Sequence, residues 1–452
     1  MSKPALAIYL KNHLRIAVKT RLGQGLTPHY AQAFYRLALT CLSENLPILA
    51  KHFDIFICPS ASLDQAWAKA QWPQYTVLPQ IEINDLGVRL NQTDQQIRAL
   101  GYQQICIIGS DAPTLANHMI LQAIHELTTH DTVLGPCFDG GFYLLGSNKA
   151  LPSLCTIPWS STKTLQAAKA LFTSQDRSIA ALPPWYDIDT VDDLNLLPSD
   201  LDDRSSAQQQ LKIWLTQLPQ VSIIIPIHNE ASRITSFIKS LQQLTPVPEI
   251  IMVDGDSQDN SVALGDKLGI KIIRLQETNR AQQMNRGAQQ ASGNIYLFLH
   301  ADSHLSLSAY HAMLNCLADE NISGGCLSFA LAQSQHSWRA WLIEKGVALR
   351  VKLFKTPYGD QGYFVKRAAF DRIGEYKIMP LLEDVEWFGR LKKQTKIVIL
   401  KQKLITSARR FQSRGWLRSS LMNISIMLLY YCGVQPRKLA RFYYGKKFST
   451  IK

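Results

Sequence analysis

The chain has 452 residues, a formal net charge of +13 and 46% hydrophobic residues. This length exceeds one typical core and predicts two or three domains. The 8 cysteines form no CxxC pair, which argues against a zinc site and a disulfide framework and favours buried, reduced thiols. The apolar run Ala5–Leu10 is too short for a signal peptide, and the longest apolar stretch, Leu421–Val434, is too short to span a bilayer. We therefore expect a globular, cytoplasmic protein.

Strand-like and helix-like segments alternate along residues 1–197. The strand-like segments are Ala5–Leu10, Ile55–Cys58, Ile105–Ile108 and Thr132–Leu134. The helix-like segments include His29–Ser43, Thr93–Leu100 and Leu115–Leu127. Such alternation predicts a mostly parallel sheet with helices on its faces.

Two motifs of this first domain place acidic residues where strands end. An apolar strand ends at Asp111 in IIGSDAPTL, and an acidic Gly-Gly turn begins at Asp139 in VLGPCFDGGFYLLG. A carboxylate at a strand end suits a hard cation such as Mg²⁺ or Mn²⁺. In DIDTVDDL, Asp192 and Asp193 are better explained as favourable charges at a helix N-terminus. The candidate site residues of this domain are Lys19, Arg21, Asp111, Asp139, Asp187 and Asp189.

Residues 198–219 differ from the segments around them. They begin with the polar, acidic stretch PSDLDDRSSAQQQ, which has no apolar periodicity and predicts a linker. Leu211–Leu218 is expected to form a short helix that leads into the next domain. The alternating pattern resumes at Val221, Ile250, Ile270 and Ile295, so residues 220–452 predict a second α/β domain.

Three apolar runs of the second domain end in acidic or amide residues. They read VSIIIPIHNE, IIMVDGDSQDNS and IYLFLHADS, and a later segment, PLLEDVEWFGRL, opens a helix with the pair Glu383 and Asp384. Ligands of open α/β sheets bind at the carboxyl ends of the strands. We therefore expect these residues at one edge of the sheet: Asn229, Glu230, Asp254, Asp256 and Asp302.

Basic residues are concentrated in the second half of the chain. Residues 1–210 carry about 15 Lys and Arg against about 18 Asp and Glu, residues 211–452 about 33 against about 17, and no acidic residue follows Glu386. Such a tail fits nucleic acid, an anionic membrane or an anionic small substrate. Because apolar and aromatic residues interleave with the cations and no nucleic-acid-binding signature accompanies them, we favour an anionic membrane surface and expect no nucleic-acid partner. A solvated basic face over a core helix is the alternative.

The second-domain motifs, in this order, resemble an inverting family 2 glycosyltransferase of GT-A fold, and within that group the subfamily named for arsenosugar biosynthesis. The resemblance covers Gln220 to about Gly445 and includes RAQQMNRGA (Arg280–Ala288), GDQGYFV (Gly359–Val365) and TSARRF (Thr406–Phe411). It implies a nucleotide-diphosphate-sugar donor, a divalent cation and inversion at the anomeric carbon.

The resemblance also assigns the donor site. HADS occupies the place of the family's metal-binding DxD, so Asp302 is expected to bind Mn²⁺ or Mg²⁺, with His300 as a further candidate ligand. The expected contacts to the nucleoside are Pro226, Asn229, Glu230, Asp254 and Asp256. The arginines expected near the diphosphate are Arg280, Arg286, Arg409 and Arg410.

For the acceptor, Glu383–Asp384 matches the family's Glu-Asp pair, whose Asp is the general base. Adjacent carboxylates on a helix cannot face the same way, so Asp384 is the expected base. The alternative is a helix N-terminus that carries favourable negative charge. Asp360 is expected to position the acceptor or the donor sugar.

Residues 5–195 resemble the DUF2064-type GT-A proteins, which are related to sugar and cofactor nucleotidyltransferases. The matching stretches are VKTRL, LGVRL, GSDAP, DGGFYLLG, IPWSS and DIDT. The family usually has a Pro- and Gly-containing loop before VKTRL, but this chain reads LKNHLRIAVKTRL. Since glycine lets backbone N–H groups approach a phosphate, its absence weakens the case for nucleotide binding. Lys19 and Arg21 could still hold phosphates, or could be surface charges.

The sequence thus predicts two tandem GT-A, Rossmann-like domains: a DUF2064-type domain (1–197), a linker (198–219) and a family 2 glycosyltransferase domain with a basic carboxyl-terminal segment (220–452). The leading hypothesis is a metal-dependent glycosyltransferase, peripheral on the inner face of the membrane. One alternative is a nucleotidyltransferase activity in the first domain that supplies the activated donor. Another is a scaffold protein on the membrane surface with a degenerate first domain. No residue pattern identifies the donor sugar or the acceptor.

Overall fold

The structure is a computed structural model, and it describes residues 3–277, 279–332, 337–409 and 415–445. The chain divides into two compact units, Met1–Leu218 and Pro219–Lys452. Within the described residues, no helix is both long enough and apolar enough to cross a membrane.

The first unit alternates strands and helices as predicted. In chain order it contains β1 (Ala5–Leu10), α1 (Thr20–Gly25), α2 (Pro28–Leu49), β2 (Asp54–Pro59), α3 (Gln65–Gln71), β3 (Thr76–Val77), α4 (Leu86–Ala99), β4 (Ile105–Ile108), α5 (Asn117–Glu126), β5 (Thr132–Pro136), β6 (Phe142–Ser147), α6 (Thr164–Thr173), β7 (Ile179–Ala181), α7 (Leu197–Asp200) and α8 (Ser206–Thr216). The predicted bounds of β1 and β4 match the structure.

The second unit repeats this alternation. In chain order it contains β8 (Val221–Ile227), α9 (Ala231–Leu241), β9 (Glu249–Gly255), α10 (Ser261–Lys267), β10 (Lys271–Leu275), α11 (Arg280–Gln289), β11 (Ile295–Phe298), β12 (Ser303–His304), α12 (Leu307–Leu317), β13 (Ile322–Leu331), α13 (Trp338–Phe354), β14 (Tyr363–Lys366), α14 (Arg367–Ile373), α15 (Glu383–Gln394), β15 (Lys396–Thr406), α16 (Trp416–Tyr431) and α17 (Pro436–Tyr444).

The two sheets share one topology. The first has the order β3-β2-β1-β4-β6-β5-β7, and the second has the order β10-β9-β8-β11-β14-β13-β15-β12. Each strand of the first sheet has a counterpart at the same place in the second, and β12 is an additional strand at the edge. In both sheets the strand after the first four, β6 or β14, runs antiparallel to its two neighbours. The predicted fold class, two tandem GT-A domains with mostly parallel sheets, is therefore confirmed.

Apolar strands lie at the centre of each sheet because helices cover both faces. All residues of β4 and every residue of β1 except Tyr9 are buried, and the equivalent strands β8 and β11 are buried apart from Pro226. Strands buried on both faces read as continuous apolar runs, which is why the sequence located them well.

The predicted linker differs from the structure. Within residues 198–219, the chain forms α8, which belongs to the first unit. Trp214 lies against Phe34 of α2 with ring centroids 5.8 Å apart, and the Glu44 carboxylate accepts hydrogen bonds from the Ser206 backbone and hydroxyl. The expected helix at Leu211–Leu218 overlaps α8, but α8 already begins at Ser206 within the polar stretch, where the N-cap Ser205 side chain accepts a hydrogen bond from Gln208 N.

Candidate functional site

Three parallel strands of the second unit end at one edge of their sheet. Strands β9, β8 and β11 are adjacent and run parallel. Asn229 and Glu230 follow β8, Asp256 follows β9, and Asp302 follows β11. Asp254 is the buried second-to-last residue of β9. The structure therefore brings the predicted polar residues to the edge at which α/β sheets bind ligands.

The loops after β8 and β9 are bonded to each other. Asn229 and Asp256 both adopt left-handed backbone, with φ of 57° and 61°, a conformation that Asn and Asp tolerate and that clusters at binding sites. Asn229 Oδ1 accepts a hydrogen bond from Gln258 N at 2.8 Å, and Asn229 N donates to Ser257 Oγ at 2.8 Å. The side chain of Asn229 therefore fixes the neighbouring loop and does not cap α9.

The cap of α9 comes from a residue that the sequence analysis did not consider. Glu230 occupies the N-cap position but makes no side-chain cap hydrogen bond. Asp259 Oδ2 instead accepts a hydrogen bond from Ala231 N at 3.0 Å. No local pattern reveals this cap, since 28 residues separate the two partners.

Glu230 lies close enough to Asp302 for their charges to interact. Glu230 is half-buried and forms an ion pair with Arg233 at 3.1 Å. Burial raises the pKa of Glu230, and the charge of Asp302 raises it further, against the opposing effect of Arg233. The ends of β8 and β11 thus bring two carboxylates near each other, one of which, Glu230, already has Arg233 as a partner.

A pocket beside this edge is lined by residues predicted for the donor and by residues predicted for the acceptor. It is lined by Pro226, Arg280, Met284, Phe298, Leu299, His300, Gly359, Tyr363, Tyr376 and Asp384. The lining thus includes the predicted base, a predicted nucleoside contact, a candidate metal ligand and one of the predicted arginines. These residues come from β8, α11, the end of β11, the segment around Gly359 and the start of α15.

Backbone hydrogen bonds hold the Asp384 carboxylate in place. Its Oδ2 accepts from Gly359 N at 2.6 Å, and its Oδ1 accepts from Val385 N at 2.8 Å. A Cβ atom on Gly359 would lie 3.1 Å from Asp384 Oδ2 and 3.3 Å from His300 Nε2, so both side chains face the same small space. Leu382, which precedes the acidic pair, has left-handed backbone with φ 68°. The strained backbone of this residue sets the direction in which α15, and with it the acidic pair, begins.

Glu383 differs from its neighbour in exposure and charge. It is 7% exposed, whereas Asp384 is half-buried. Burial and the negative charge of Asp384 raise the pKa of Glu383 to about 7, against the effect of Arg280. The two adjacent acids therefore have different environments, as expected from their positions on a helix, and Asp384 is the one that reaches the pocket.

Of the predicted arginines, Arg280 is the one that lies near Glu383, Asp384 and Asp302. Desolvation lowers the pKa of its guanidinium, but the charges of Glu383, Asp384 and Asp302, among others, outweigh this effect and raise it. Arg286 is exposed and donates to Gln289 Oε1 at 3.1 Å along α11, outside the pocket lining.

The other predicted arginines follow β15. Ser303 of β12 pairs with Thr406 of β15, so the TSARRF motif lies next to HADS. Arg409 is exposed, and Arg410 lies outside the described residues. Asp360 belongs to the short 3₁₀ turn Gly359–Gln361 and is half-buried.

Other residues of the RAQQMNRGA motif hold the scaffold. The buried Gln283 amide donates to the carbonyl oxygens of Ile227 and Val253, each at 2.8 Å, and thereby fixes the ends of β8 and β9. Asn285 exchanges two hydrogen bonds with the backbone of Tyr376, at 2.8 and 2.9 Å. The motif therefore links helix α11 both to strands β8 and β9 and to Tyr376 of the pocket lining.

Tyr376 is a pocket residue that the sequence analysis missed. It is 2% exposed, and its hydroxyl has no hydrogen-bond partner among the described residues. Burial, together with the charges of Asp384 and Glu383, raises its pKa well above the usual value. A buried hydroxyl without a partner costs stability, so its place in the pocket suggests a ligand that completes the bond. In the sequence it stands in GEYKIM, which carries no signal of a site.

The predicted residues of the first unit form a separate cluster. Lys19 Nζ lies 2.7 Å from both Asp111 Oδ2 and Asp189 Oδ1 and 3.8 Å from Asp187 Oδ2, and its side chain is 6% exposed. Desolvation lowers the pKa of Lys19, but the three acids together raise it. The ammonium group of Lys19 thus occupies the centre of the acids, whereas Arg21 is exposed and meets Asp189 at 3.3 Å.

Asp187 connects this cluster to the Gly-Gly turn. Ligand atoms of Asp111, Asp187 and Asp189 lie within 4.8 Å of one another, as do those of Cys137, Asp139 and Asp187. Asp139 also accepts a hydrogen bond from Gly141 N at 2.8 Å within its turn. Desolvation and the charge of Asp111 raise the pKa of Asp187 to about 7, despite Lys19.

Comparison with known proteins matches each unit to a separate family. The family model described as "Uncharacterized protein conserved in bacteria (DUF2064)" matches residues 48–161. The model of "Glycosyl transferase family 2" matches residues 222–376. The second match includes the polar strand ends and Tyr376 but ends before the Glu383–Asp384 pair.

Individual relatives cover part of the chain. A PGL/p-HBAD biosynthesis glycosyltransferase from Mycobacterium bovis is 28% identical over 35% of this chain and 64% of its own length. A 4,4'-diaponeurosporenoate glycosyltransferase from Staphylococcus haemolyticus is 28% identical over 23% of this chain and 30% of its own length. The chain thus spans less than two thirds of each of these curated relatives.

Among solved structures, a protein from Desulfovibrio desulfuricans G20 described as a nucleotide-diphospho-sugar transferase is 27% identical, with a TM-score of 0.44. The match covers 48% of this chain and 98% of that protein. The two family matches by themselves place a DUF2064 segment (residues 48–161) ahead of a glycosyl transferase family 2 segment (residues 222–376).

Proposed function

We propose that the second unit is an inverting, metal-dependent glycosyltransferase that moves a sugar from a nucleotide-diphosphate donor to an acceptor hydroxyl. The observation that carries this proposal is the pocket in which Asp384, His300 and Arg280 meet beside the strand ends. The family 2 match over residues 222–376 supports the same reaction class.

The donor side offers oxygen ligands that suit Mn²⁺ or Mg²⁺. Asp302 is half-buried and interacts with Glu230, and His300 lies in the same segment. Among the described residues, groups of three or more metal-ligating side chains occur in the first unit and not in the second. Asp302, with His300 as a second candidate, would therefore hold a cation whose remaining ligands are phosphate oxygens and water, as is usual for Mg²⁺. Such a cation would neutralise charge on the leaving diphosphate.

Other residues would bind the rest of the donor and activate the acceptor. We assign the nucleoside to Asn229, Glu230, Asp254 and Asp256 at the strand ends, and the diphosphate to Arg280, whose guanidinium interacts with the charges of Glu383, Asp384 and Asp302. The Asp384 carboxylate accepts the proton of the acceptor hydroxyl as that oxygen attacks the anomeric carbon.

Single displacement of this kind inverts the anomeric configuration, because attack comes from the face opposite the leaving diphosphate. The test uses the full chain with Mn²⁺ and a panel of UDP-, GDP- and dTDP-sugars. NMR of the product should show the anomeric configuration inverted relative to the donor. Retained configuration would contradict the assignment of Asp384 as a base.

We further propose that the membrane is the setting of this reaction. The basic carboxyl-terminal segment, which has no acidic residue after Glu386, supports association with an anionic lipid surface at the inner face of the cytoplasmic membrane. Parts of this segment, residues 410–414 and 446–452, lie outside the described residues.

A further inference from the structure

Two helices of the second unit expose large apolar side chains. One is α13, which the sequence analysis did not identify, and the other is α16. Each of the side chains concerned is between 40% and 69% exposed. They are Trp338, Trp341, Leu342, Leu349, Leu353 and Phe354 of α13, and Leu421, Ile424, Leu428, Leu429 and Tyr431 of α16.

The opposite faces of both helices are packed in the domain. Ala340 of α13 is fully buried in a cluster with Phe329 and Leu331 of β13. Ile426 and Met427 of α16 are buried against Leu382 and Val385, the residues on either side of the acidic pair. Each helix is therefore anchored by one apolar face while a second apolar face meets solvent.

Two side-chain contacts connect the helices. Trp416, at the start of α16, packs in the same apolar cluster as Ile343 and Val347 of α13. Just after the end of α13, Thr356 Oγ1 lies 3.2 Å from the hydroxyl of Tyr431, the last residue of α16. The two ends of α16 are thus tied to α13 and to the region just after it, and we call the exposed apolar faces of the two helices together the α13–α16 surface.

The charges around this surface have one sign. Exposed cations on α13 are Arg339, Lys345 and Lys352, and Lys355 follows directly at its C-terminal end. The single acid of α13, Glu344, is turned inward, where it accepts a hydrogen bond from Leu331 N at 2.7 Å and meets Lys403 at 3.3 Å. Arg418 of α16 is exposed, as are Arg437 and Lys438 of the next helix, α17, and the sequence has no acid after Glu386.

Two cations sit directly over exposed aromatic rings. Arg339 lies 5.4 Å from the ring centroid of Trp338, and Lys345 lies 5.6 Å from that of Trp341. Tryptophan with adjacent Lys or Arg suits the boundary between lipid headgroups and acyl chains, where one end of the group is apolar and the other is wet.

We propose that the α13–α16 surface docks the protein on an anionic lipid bilayer, with both helices lying in the plane of the interface. Their lengths, 17 and 16 residues, suit an interfacial position and not a span. A second copy of the chain is a weaker occupant, because pairing the same surface would bring like charges together. The proposal gives a defined surface to the membrane association proposed above, and it does not depend on sugar transfer.

The test is flotation of the full chain with vesicles of phosphatidylcholine alone and of equal parts phosphatidylcholine and phosphatidylglycerol. The wild type should float with the anionic vesicles and bind them less at high salt. The triple substitution Trp338→Ser, Leu342→Ser and Leu349→Ser should weaken binding by about tenfold or more, since it removes apolar area that inserts. These side chains are exposed, so thermal unfolding should change little.

A matched control removes equally exposed apolar side chains elsewhere. The triple substitution Leu14→Ser, Leu63→Ser and Val247→Ser affects residues that are 72%, 79% and 75% exposed, and it should leave flotation unchanged. Equal binding of the wild type to neutral and anionic vesicles, or equal losses in the test and control variants, would overturn the proposal. So would self-association of the wild type that the test substitutions abolish, without vesicle binding.

Insertion of the tryptophan side chains into the bilayer is measured by fluorescence. Brominated lipids should quench part of the tryptophan fluorescence of the vesicle-bound wild type, and Trp338→Phe with Trp341→Phe should remove that part. Complete release by salt without quenching would mean adsorption by charge alone and would contradict insertion. The Asp302→Asn variant should bind vesicles as the wild type does, so failure of the docking surface and failure of the proposed glycosyltransferase site remain distinguishable.

Discussion

The backbone N–H of Gly359 donates a hydrogen bond to Asp384 Oδ2 at 2.6 Å, and no side chain intervenes between the two residues. The bond holds the carboxylate in the pocket beside His300. A methyl group at position 359 would lie 3.1 Å from the same oxygen, so the absence of a side chain there permits the close approach. This contact links the GDQGYF motif to the acidic pair that follows it in the chain.

We expect Gly359→Ala to lower turnover by about tenfold with little loss of stability. The added methyl group must displace the Asp384 carboxylate or His300 by a few tenths of an ångström, and small misplacements of a catalytic group cost rate. Steady-state kinetics and thermal unfolding measure the two effects. Gly389→Ala on α15 is the matched control, since a Cβ there would meet nothing within 4 Å. Wild-type turnover in Gly359→Ala would show that the position of Asp384 is not critical.

We expect Asp384→Asn to lower turnover by roughly 10²-fold or more with little change in donor binding, because a general base acts on the acceptor proton. Glu383→Gln should be milder, since Glu383 is buried outside the pocket lining and has a pKa raised to about 7. Kinetics with calorimetric donor binding separate the steps. The reverse order of severity would move the base to Glu383.

Tyr376→Phe should have opposite effects on stability and on activity. Removal of a buried hydroxyl that lacks a partner among the described residues should leave stability unchanged or raise it by about 1 kcal/mol. If the hydroxyl bonds a bound substrate, turnover or substrate affinity should fall by roughly tenfold. Denaturant unfolding and steady-state kinetics check the two signs. A variant with reduced stability and full activity would assign Tyr376 to the scaffold alone.

The sequence predicted the strands of both sheets better than it predicted some of the helices. Central strands such as Ala5–Leu10 are buried on both faces, so their apolar runs are unmistakable. Helix α13 escaped notice because it has apolar residues on its packed face and on its exposed face, which leaves little periodicity. Helix α8 begins at Ser206, ahead of the predicted helix Leu211–Leu218, because its first residues belong to a polar run that lacks apolar periodicity.

Short sequence motifs predicted much of the candidate site. They could not predict contacts between residues that are far apart in the sequence. Strand ends in an α/β sheet meet at one edge, so Asp254 and Asp302 could be grouped from sequence. The pairing of Lys19 with Asp189 joins residues 170 positions apart, and no spacing rule reveals that an ammonium group lies among the acids. The exposed position of Arg286 depends on the rotation of α11, which the motif alone does not fix.

Asp187→Asn should change the pH dependence of stability. The pKa of Asp187 is raised to about 7 in the folded chain, above its ordinary value of 3.8. The folded state therefore binds more protons than the unfolded state between these values, and the contribution of Asp187 to stability falls as pH rises through this window. The difference in unfolding free energy between wild type and variant should accordingly shift in favour of the variant from pH 4 to pH 7. The exposed Asp192→Asn is the control, and a constant difference in Asp187→Asn would contradict the prediction.

The most direct test of the central claim compares Asp302→Asn in the second unit with Asp187→Asn in the first. Both substitutions replace one carboxyl group near other acids by an amide, and the measurement is Mn²⁺-dependent binding of UDP-, GDP- and dTDP-sugars to the full chain. We predict that the wild type and Asp187→Asn bind one of these donors in a Mn²⁺-dependent manner and that Asp302→Asn does not, because an amide lacks the charge that holds a hard divalent cation. Mn²⁺-dependent donor binding that survives in Asp302→Asn and is lost in Asp187→Asn would contradict the account and move the donor site to the first unit.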